Sequence, residues 1–463
     1  MIDLSLHRRR FLRIGSLALS GLGLPNILRA EENSRRPAKA RSCIVFYMCG
    51  GASHIDMFDM KPAAGSEIRG PFTSIDSTVP GTRVCEHLPQ LAKQMHRFLQ
   101  VRSLQHQETV HPQAVYQMLT GYPQTSSIAR RGVERMDDPH LASAFAQADR
   151  ISAVLPKSIR LPSDTMIGGG SALISQRGQN AGRLRDVYDP FPVAISPEGV
   201  LAPPELGLAS DVSVRRHADR ERLLDRFNLQ MRQLSSASET ARFDAFQHQA
   251  LNILSAPSVQ DAFNLGRESP GVHDQYGRHR QGQSLLLARR LVEAGARFVT
   301  VYWGPDKQDW ADGQGMRIAG NPWDTHRNHF PILEQSLFPR FDQSLSALVK
   351  DLGERGILDD TLVVWMSDFG RTPRISTRWA SRDHWPGAFS IMLAGGGVRA
   401  GEVIGQTDKF AEKVIDQPVS PADLTATIFQ ALGVSPLQTI QAANSEQHQL
   451  SIGNVQRQWF NWS

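Results

Sequence analysis

The sequence predicts an α/β fold with a mainly parallel central sheet and helices on both faces. Two observations predict it. Continuous apolar runs without alternation recur along the chain, as suits strands buried on both faces. Between them lie stretches at helical spacing, and helices alternating with apolar strands argue for a parallel sheet covered on both sides.

Taken in order, a polar linker over residues 31–41 precedes Cys43-Ile-Val-Phe-Tyr-Met48, an apolar run closed by Gly50-Gly51 and read as the first strand. Leu88–Gln100 is helical in pattern, Phe98–Val101 is strand-like and Pro112–Thr120 is a short helix. Residues 150–210 are rich in Pro and Gly and read as extended loops. Val212–Leu234 and Glu239–Ala256 read as charged amphipathic helices, with Leu223, Leu224, Phe227 and Met231 at helical spacing, so a helical insertion is expected at about 210–260. Ser284–Ala294 is a helix stopped by Gly295, and Phe298–Tyr302 is the strand after it. Ile332–Leu352 is a helix stopped near Gly353 or Gly356, followed by strand Leu362–Met366. Ser390–Leu393 is a strand closed by Gly395-Gly396-Gly397. Pro421–Leu432 is a helix with Asp423 in its first turn, and residues 436–463 are a C-terminal tail. One elaborated α/β domain therefore covers residues 42–435.

At 463 residues, with 40% hydrophobic and 21% charged residues, the chain has ordinary globular composition and can bury a large core. Residues 1–30 carry +4 of the formal +5 (five Arg against Asp3), which leaves +1 on the remaining 433 residues. A body that near neutrality has no global electrostatic reason to bind nucleic acid. The +4 belongs to an address. Arg8-Arg-Arg-Phe-Leu-Arg13 followed by the apolar stretch Ile14–Leu28 fits a twin-arginine-like export signal over residues 1–30 and is too short to span a bilayer well. The expected location is the periplasm or cell envelope, with no transmembrane span in the mature protein. Three cysteines rule out a disulfide scaffold; Cys43 and Cys49 lie six apart on one strand and cannot bridge each other. Cys85 either pairs with one of them or all three are buried thiols.

The sequence has no P-loop, no His-Glu-x-x-His, no Cys-x-x-Cys and no Gly-x-Ser-x-Gly. What remains is Asp and His near strand ends: His54 and Asp56, His106 and His111, Asp324 with His326 and His329, Asp368, Arg371, and Asp383-His384. In an open α/β sheet, ligands bind beyond the carboxyl ends of the strands. Carboxylates gathered there repel unless a cation intervenes, and imidazoles among them suit a transition metal.

Several stretches together resemble a bacterial family known as domain of unknown function 1501, a branch related to the alkaline phosphatase and sulfatase superfamily. They are Gly50-Gly-Ala-Ser-His-Ile-Asp-Met-Phe-Asp-Met-Lys-Pro62, Val84-Cys-Glu-His-Leu-Pro89, Met118-Leu-Thr-Gly121, Gly178-Gln-Asn-Ala-Gly182, Trp323-Asp-Thr-His326, Asp368-Phe-Gly-Arg-Thr-Pro373 and Arg382-Asp-His-Trp-Pro386. The resemblance implies an alkaline-phosphatase-like fold and a divalent metal (zinc, manganese or calcium) held by Asp56, Asp324, His326, Asp368 and His384. Two departures follow from it. Sulfatases carry a Cys or Ser nucleophile nine residues before the Thr of a Leu-Thr-Gly element, and the matching position here is His111; and Phe369 stands where a metal-binding His is usual. The resemblance thus implies a single metal, with His111 or a bound water in the nucleophile's role, His111 otherwise serving as acid/base or a further ligand. Arg371 either clamps an anionic group or makes a salt bridge to a neighbouring acid. The expected function is hydrolysis of a sulfate or phosphate ester of a small molecule or glycan, the alternative a non-catalytic binding or scaffold protein of the envelope.

Overall fold

The computed structural model describes residues 38–124, 137–162, 177–196, 257–304 and 322–461. The export segment and the two helices read at Val212–Leu234 and Glu239–Ala256 lie outside them. The centre is an eight-stranded sheet built from β1 (Ser42–Met48), β2 (Phe98–Leu104), β3 (Ser158–Leu161), β4 (Phe191–Pro192), β5 (Phe298–Trp303), β6 (Thr361–Ser367), β7 (Phe389–Ala394) and β8 (Val403–Ile404). Their spatial order is β8-β2-β7-β6-β1-β5-β3-β4. Every pairing is parallel except those of β7, which runs against both β6 and β2. The mainly parallel sheet expected from the sequence is the one observed.

Residues of β1 alternate between two cores, as the two-residue period of a strand demands. Ile44, Phe46 and Met48 enter one core with Leu285 and Leu291 of α3 (Arg280–Glu293) and Phe341 and Leu345 of α4 (Phe338–Glu354). Cys43, Val45 and Tyr47 enter the other with Val115 of α1 (His111–Thr120), Phe145 of α2 (Leu141–Ala148) and Phe429 of α5 (Pro421–Ala431). Both faces are covered, so the strand reads as one apolar run. Each such fully buried side chain contributes about 1.5–3 kcal/mol.

Several boundaries differ from the sequence reading. The helix expected over Leu88–Gln100 is only the turn Pro89–Ala92 with a 3₁₀ turn at Met95–Arg97, because β2 already claims Phe98. The helix expected from Ile332 contains a π-turn at Leu333–Leu337. Pro339 has no N–H to offer the carbonyl four residues back, and the ladder widens just before it. Residues 150–210 contribute the edge strand β4 and its inner neighbour β3 rather than loop alone. The expected tail also packs: Trp459 and Phe460 are buried in the second core. All three cysteines are buried free thiols. No helix among the described residues is long and apolar enough to cross a membrane.

Candidate metal centre

β1 and β6 are parallel neighbours with Met48 opposite Ser367, so the segments leaving their carboxyl ends start level on one rim. Gly50 and Gly51 turn the chain there with φ of 113° and 88°. The Trp323–His326 loop is tied to the same rim by the Trp323 amide, which donates to the Cys49 carbonyl at 3.1 Å. Asp368 follows β6 directly, His111 opens α1, and His384 lies in a short ladder pairing His384–Trp385 with Gly370–Arg371.

Four of these side chains meet. Asp324 Oδ1 lies 3.0 Å from His326 Nε2 and 3.1 Å from His384 Nε2, and its Oδ2 lies 3.2 Å from His111 Nε2. The Nε2 atoms of His326 and His384 are themselves 2.9 Å apart. His111, Asp324 and His384 each place a potential ligand atom within 4.8 Å of the others.

The outer nitrogens fix the protonation pattern. His111 Nδ1 faces Asp368 Oδ2 at 2.5 Å, His326 Nδ1 faces Asp383 Oδ1 at 2.9 Å, and His384 Nδ1 faces the Thr109 carbonyl at 2.8 Å. Carboxylates and carbonyls only accept, so each ring donates from Nδ1. In the neutral rings this turns three Nε2 lone pairs towards one carboxylate. His111 Nε2 is buried and has no hydrogen-bond partner, its approach to Asp324 being poorly directed.

Lone pairs at these separations repel unless a proton or a metal ion sits among them. Metal–ligand bonds of about 2.0–2.1 Å in a tetrahedron set ligand atoms roughly 3.3 Å apart. The observed triangle of 2.9, 3.0 and 3.1 Å among His326, His384 and Asp324 is close to that spacing. The donor set therefore fits a divalent cation. Without one, a proton takes the place. Burial works against the His111 imidazolium, but Asp368 and Asp324 outweigh it and raise its pKa to about 9. Burial likewise opposes ionisation of Asp324, yet Arg371 and the three imidazoles hold its carboxyl far below the usual range.

Two expected ligands stand back from this group. Asp368 accepts from His111 through Oδ2 and from Ser367 Oγ through Oδ1 at 3.0 Å, so it reaches the centre only by orienting His111. Asp56, expected as a ligand, is not part of the group. It sits in the helical turn His54–Met57, where Arg382 binds it in bidentate fashion at 2.7 and 2.9 Å, His329 Nε2 lies 2.9 Å away and Ser53 Oγ donates at 2.5 Å. Its lone pairs are spoken for. Arg371 is fully buried, and the salt bridge is the role it has. Nη2 donates to Asp324 Oδ1 at 2.7 Å and Nε to the Gly51 carbonyl at 2.9 Å, with further bonds to the carbonyls of Gly50, Trp323 and Arg382. An anion clamp needs donors facing outward, and Arg371 faces inward. Phe369 packs its ring 4.8 Å from that of His111 and 4.4 Å from that of His384, serving as a wall where a ligand was absent by sequence.

The orienting roles of Asp383 and Thr109 were missed in the sequence. Asp383 is adjacent to His384, and that adjacency was the available signal. Thr109 acts through its backbone carbonyl, which leaves no signature.

The family model described as "Protein of unknown function (DUF1501)" matches residues 40–457. The chain belongs to this family. No curated protein matches the DUF1501 chain in sequence. Solved structures similar to it include the phosphonate monoester hydrolase SpPMH from Silicibacter pomeroyi, at 13% identity and a TM-score of 0.40, covering 90% of this chain and 76% of that one. The PsFucS1 sulfatase from Pseudoalteromonas sp. is similar at 12% identity and a TM-score of 0.38, covering 91% and 72%. The C-terminal periplasmic domain of EcEptC from Escherichia coli, in complex with Zn, is similar at 11% identity and a TM-score of 0.34, covering 93% of both chains. Likeness at this level carries nothing about activity from those proteins to this one.

Proposed function

We propose that this DUF1501 protein binds one divalent transition metal through His111, Asp324, His326 and His384 and hydrolyses a sulfate or phosphate ester. One observation carries the reading: three imidazoles are locked as Nδ1 donors while their Nε2 atoms converge on a single carboxylate. Imidazole-rich sites favour zinc or a neighbouring transition metal, whereas calcium asks for oxygen ligands, so calcium drops out of the candidates.

When bound there, a divalent cation supplies polarisation of an ester oxygen and makes water a nucleophile near neutral pH. The chain's own residues do the rest. Asp368 fixes the ring of His111, and Arg371 fixes the carboxylate of Asp324. Both nitrogens of His111 point at carboxylates, which leaves water as the attacking group in this reading. His326 and His384 have side chains 32% and 19% exposed, against 2% for Asp324, so substrate and water reach the centre from their side. The twin-arginine-like segment over residues 1–30 supports placing this activity in the cell envelope.

The rival reading is a non-catalytic metal-binding protein of the envelope. Four protein donors can close a tetrahedral site and leave no open position, which favours it. Protein isolated from the envelope should contain about one equivalent of metal, and Asp324→Asn or His384→Ala should lose it, each with a fall of at least tenfold in affinity. Metal retained at full stoichiometry in both variants overturns the ligand set. Turnover of aryl sulfate or phosphate esters after zinc or manganese loading supports the hydrolase; a fully loaded centre that turns over neither supports the binder.

A further inference from the structure

A cavity of about 240 Å³, lined by none of the candidate metal ligands, lies where the helical turn Ser66–Arg69 meets the antiparallel hairpin of Ser74–Asp76 and Arg83–Cys85. Among the described residues three cations line it, Lys61, Arg69 and Arg83, and no acid does. Two of the three are held in place. Asp59, with 1% of its side chain exposed, takes Lys61 Nζ at 2.9 Å, and Arg102 shares that carboxylate at 3.7 Å. Arg83 is fixed on the hairpin, Nε donating to Ser74 Oγ at 2.9 Å and Nη1 to Asp76 Oδ1 at 2.7 Å. Arg69 is different: it is exposed, and its side chain makes no hydrogen bond or ion pair. Its backbone is nonetheless anchored. The Arg69 amide donates to the Gly65 carbonyl at 3.0 Å, and the Ile68 carbonyl accepts from Arg382 Nη2 at 2.8 Å. Gly70, with a φ of 70°, brings the chain so near the core that a Cβ there would lie 3.2 Å from Arg382 Nη2.

Cations gathered around one recess repel each other, and water screens the repulsion less where the space is partly enclosed. Asp59 and Asp76 offset part of it, from behind Lys61 and Arg83 rather than from inside the cavity. The further acid at this edge, Glu86, accepts from the Thr73 amide at 2.8 Å. An oxyanion in the cavity would meet all five N–H donors of Arg69 and the two that Lys61 Nζ does not give to Asp59. A planar guanidinium fork suits a tetrahedral oxyanion through paired, charge-assisted hydrogen bonds. Lys61 and Arg83 are already oriented, so they have little freedom left to lose on binding. Met60 and Phe72 give the cavity an apolar side. Its volume falls below the roughly 300 Å³ at which pockets for drug-sized ligands begin, so the occupant is compact.

We propose that this cavity binds one sulfate or phosphate group, as the free ion or as a small ester, with Arg69 as its main contact and Lys61 and Arg83 as flanking charges. The site is separate from the metal centre, and it stands whether or not the chain is a hydrolase.

Calorimetry on the full chain tests it, after chelation and dialysis have removed any metal that would itself attract an anion. Inorganic sulfate, inorganic phosphate, phenyl sulfate, phenyl phosphate and acetate are titrated in turn, with chloride holding the ionic strength constant. Sulfate or phosphate should bind at one site per chain. Arg69→Gln should weaken that binding about tenfold or more, as loss of a charge-assisted contact predicts. Its melting temperature should stay as in the parent, since Arg69 is exposed. Arg83→Gln, a second exposed position on the cavity wall, should weaken binding in the same direction. Phenyl esters held tighter than the free ions support the site and name an ester as its occupant; free ions held as tightly or tighter support it and name the ion. Failure of the parent to bind either anion in any form overturns the proposal, as does binding left intact in both variants. Acetate bound as tightly as the better tetrahedral ion overturns the assignment of the ligand class.

Discussion

Arg371 and Arg382 are eleven residues apart in sequence, both fully buried, and each is paired with a different acid: Arg371 with Asp324, Arg382 with Asp56. Burial opposes ionisation of Asp56, but Arg382 and His329 outweigh it and keep the carboxyl well below the usual range. A buried carboxylate that loses its only guanidinium partner is left uncompensated, so Arg382→Gln should destabilise the fold by about 3–5 kcal/mol, read by denaturant unfolding. A loss below about 1 kcal/mol would show that Asp56 is not held as an ion pair. Arg371→Lys keeps a charge but gives up the planar fork that steadies Asp324. Its expected effect is a metal affinity lower by about 10–100-fold with the fold retained, measured by titration of the metal-free protein; unchanged affinity would place Arg371 outside the site's support.

Asp342 of α4 accepts from the amides of Gln90 and Leu91 at 2.9 and 2.7 Å and so holds the turn Pro89–Ala92 against the first core. Burial pushes its pKa up to about 6 against the pull of those two bonds. A carboxyl raised in the folded state adds stability that is fully present below its unfolded value and is lost as pH rises through the folded one. The melting-temperature advantage of the parent over Asp342→Asn should therefore grow as pH falls from 7 to 4.5, and an advantage that shrinks would refute the assignment. The same element shows what the sequence could and could not reveal. Strands β1, β5 and β6 were legible because burial on both faces writes an unbroken apolar run. Strands β3 and β4, short pieces at one side of the sheet bounded by Pro162 and Pro190, carry no such run. At the site, Asp324, His326, His384 and His111 could be named because metal-binding side chains are few. The displacement of Asp56 could not, since it depends on where Arg382 points, 326 residues away.

Over the whole molecule, four of the buried imidazoles among the described residues weigh against the fold in acid. Burial lowers the pKa of His54, His106 and His329, and that of His140 to about 3. Groups that stay neutral when folded but charge when unfolded favour the unfolded state as pH drops below about 6.5. His111 acts in the opposite sense in metal-free protein, adding stability that is lost as pH rises towards about 9. Metal-free protein should thus melt at progressively lower temperature from pH 6.5 down to 4, and a flat or rising profile over that range would contradict the neutral burial of these rings.

The three acceptors behind the imidazoles are Thr109, Asp368 and Asp383, contributed by segments that meet only once β6 has docked beside β1. The candidate ligands themselves come from three separate segments, at His111, Asp324–His326 and His384, in contrast to a zinc finger, whose ligands lie close together and whose folding waits for the metal. Loading would have to follow folding, so the refolding rate should be indifferent to added zinc while the finished protein becomes harder to unfold.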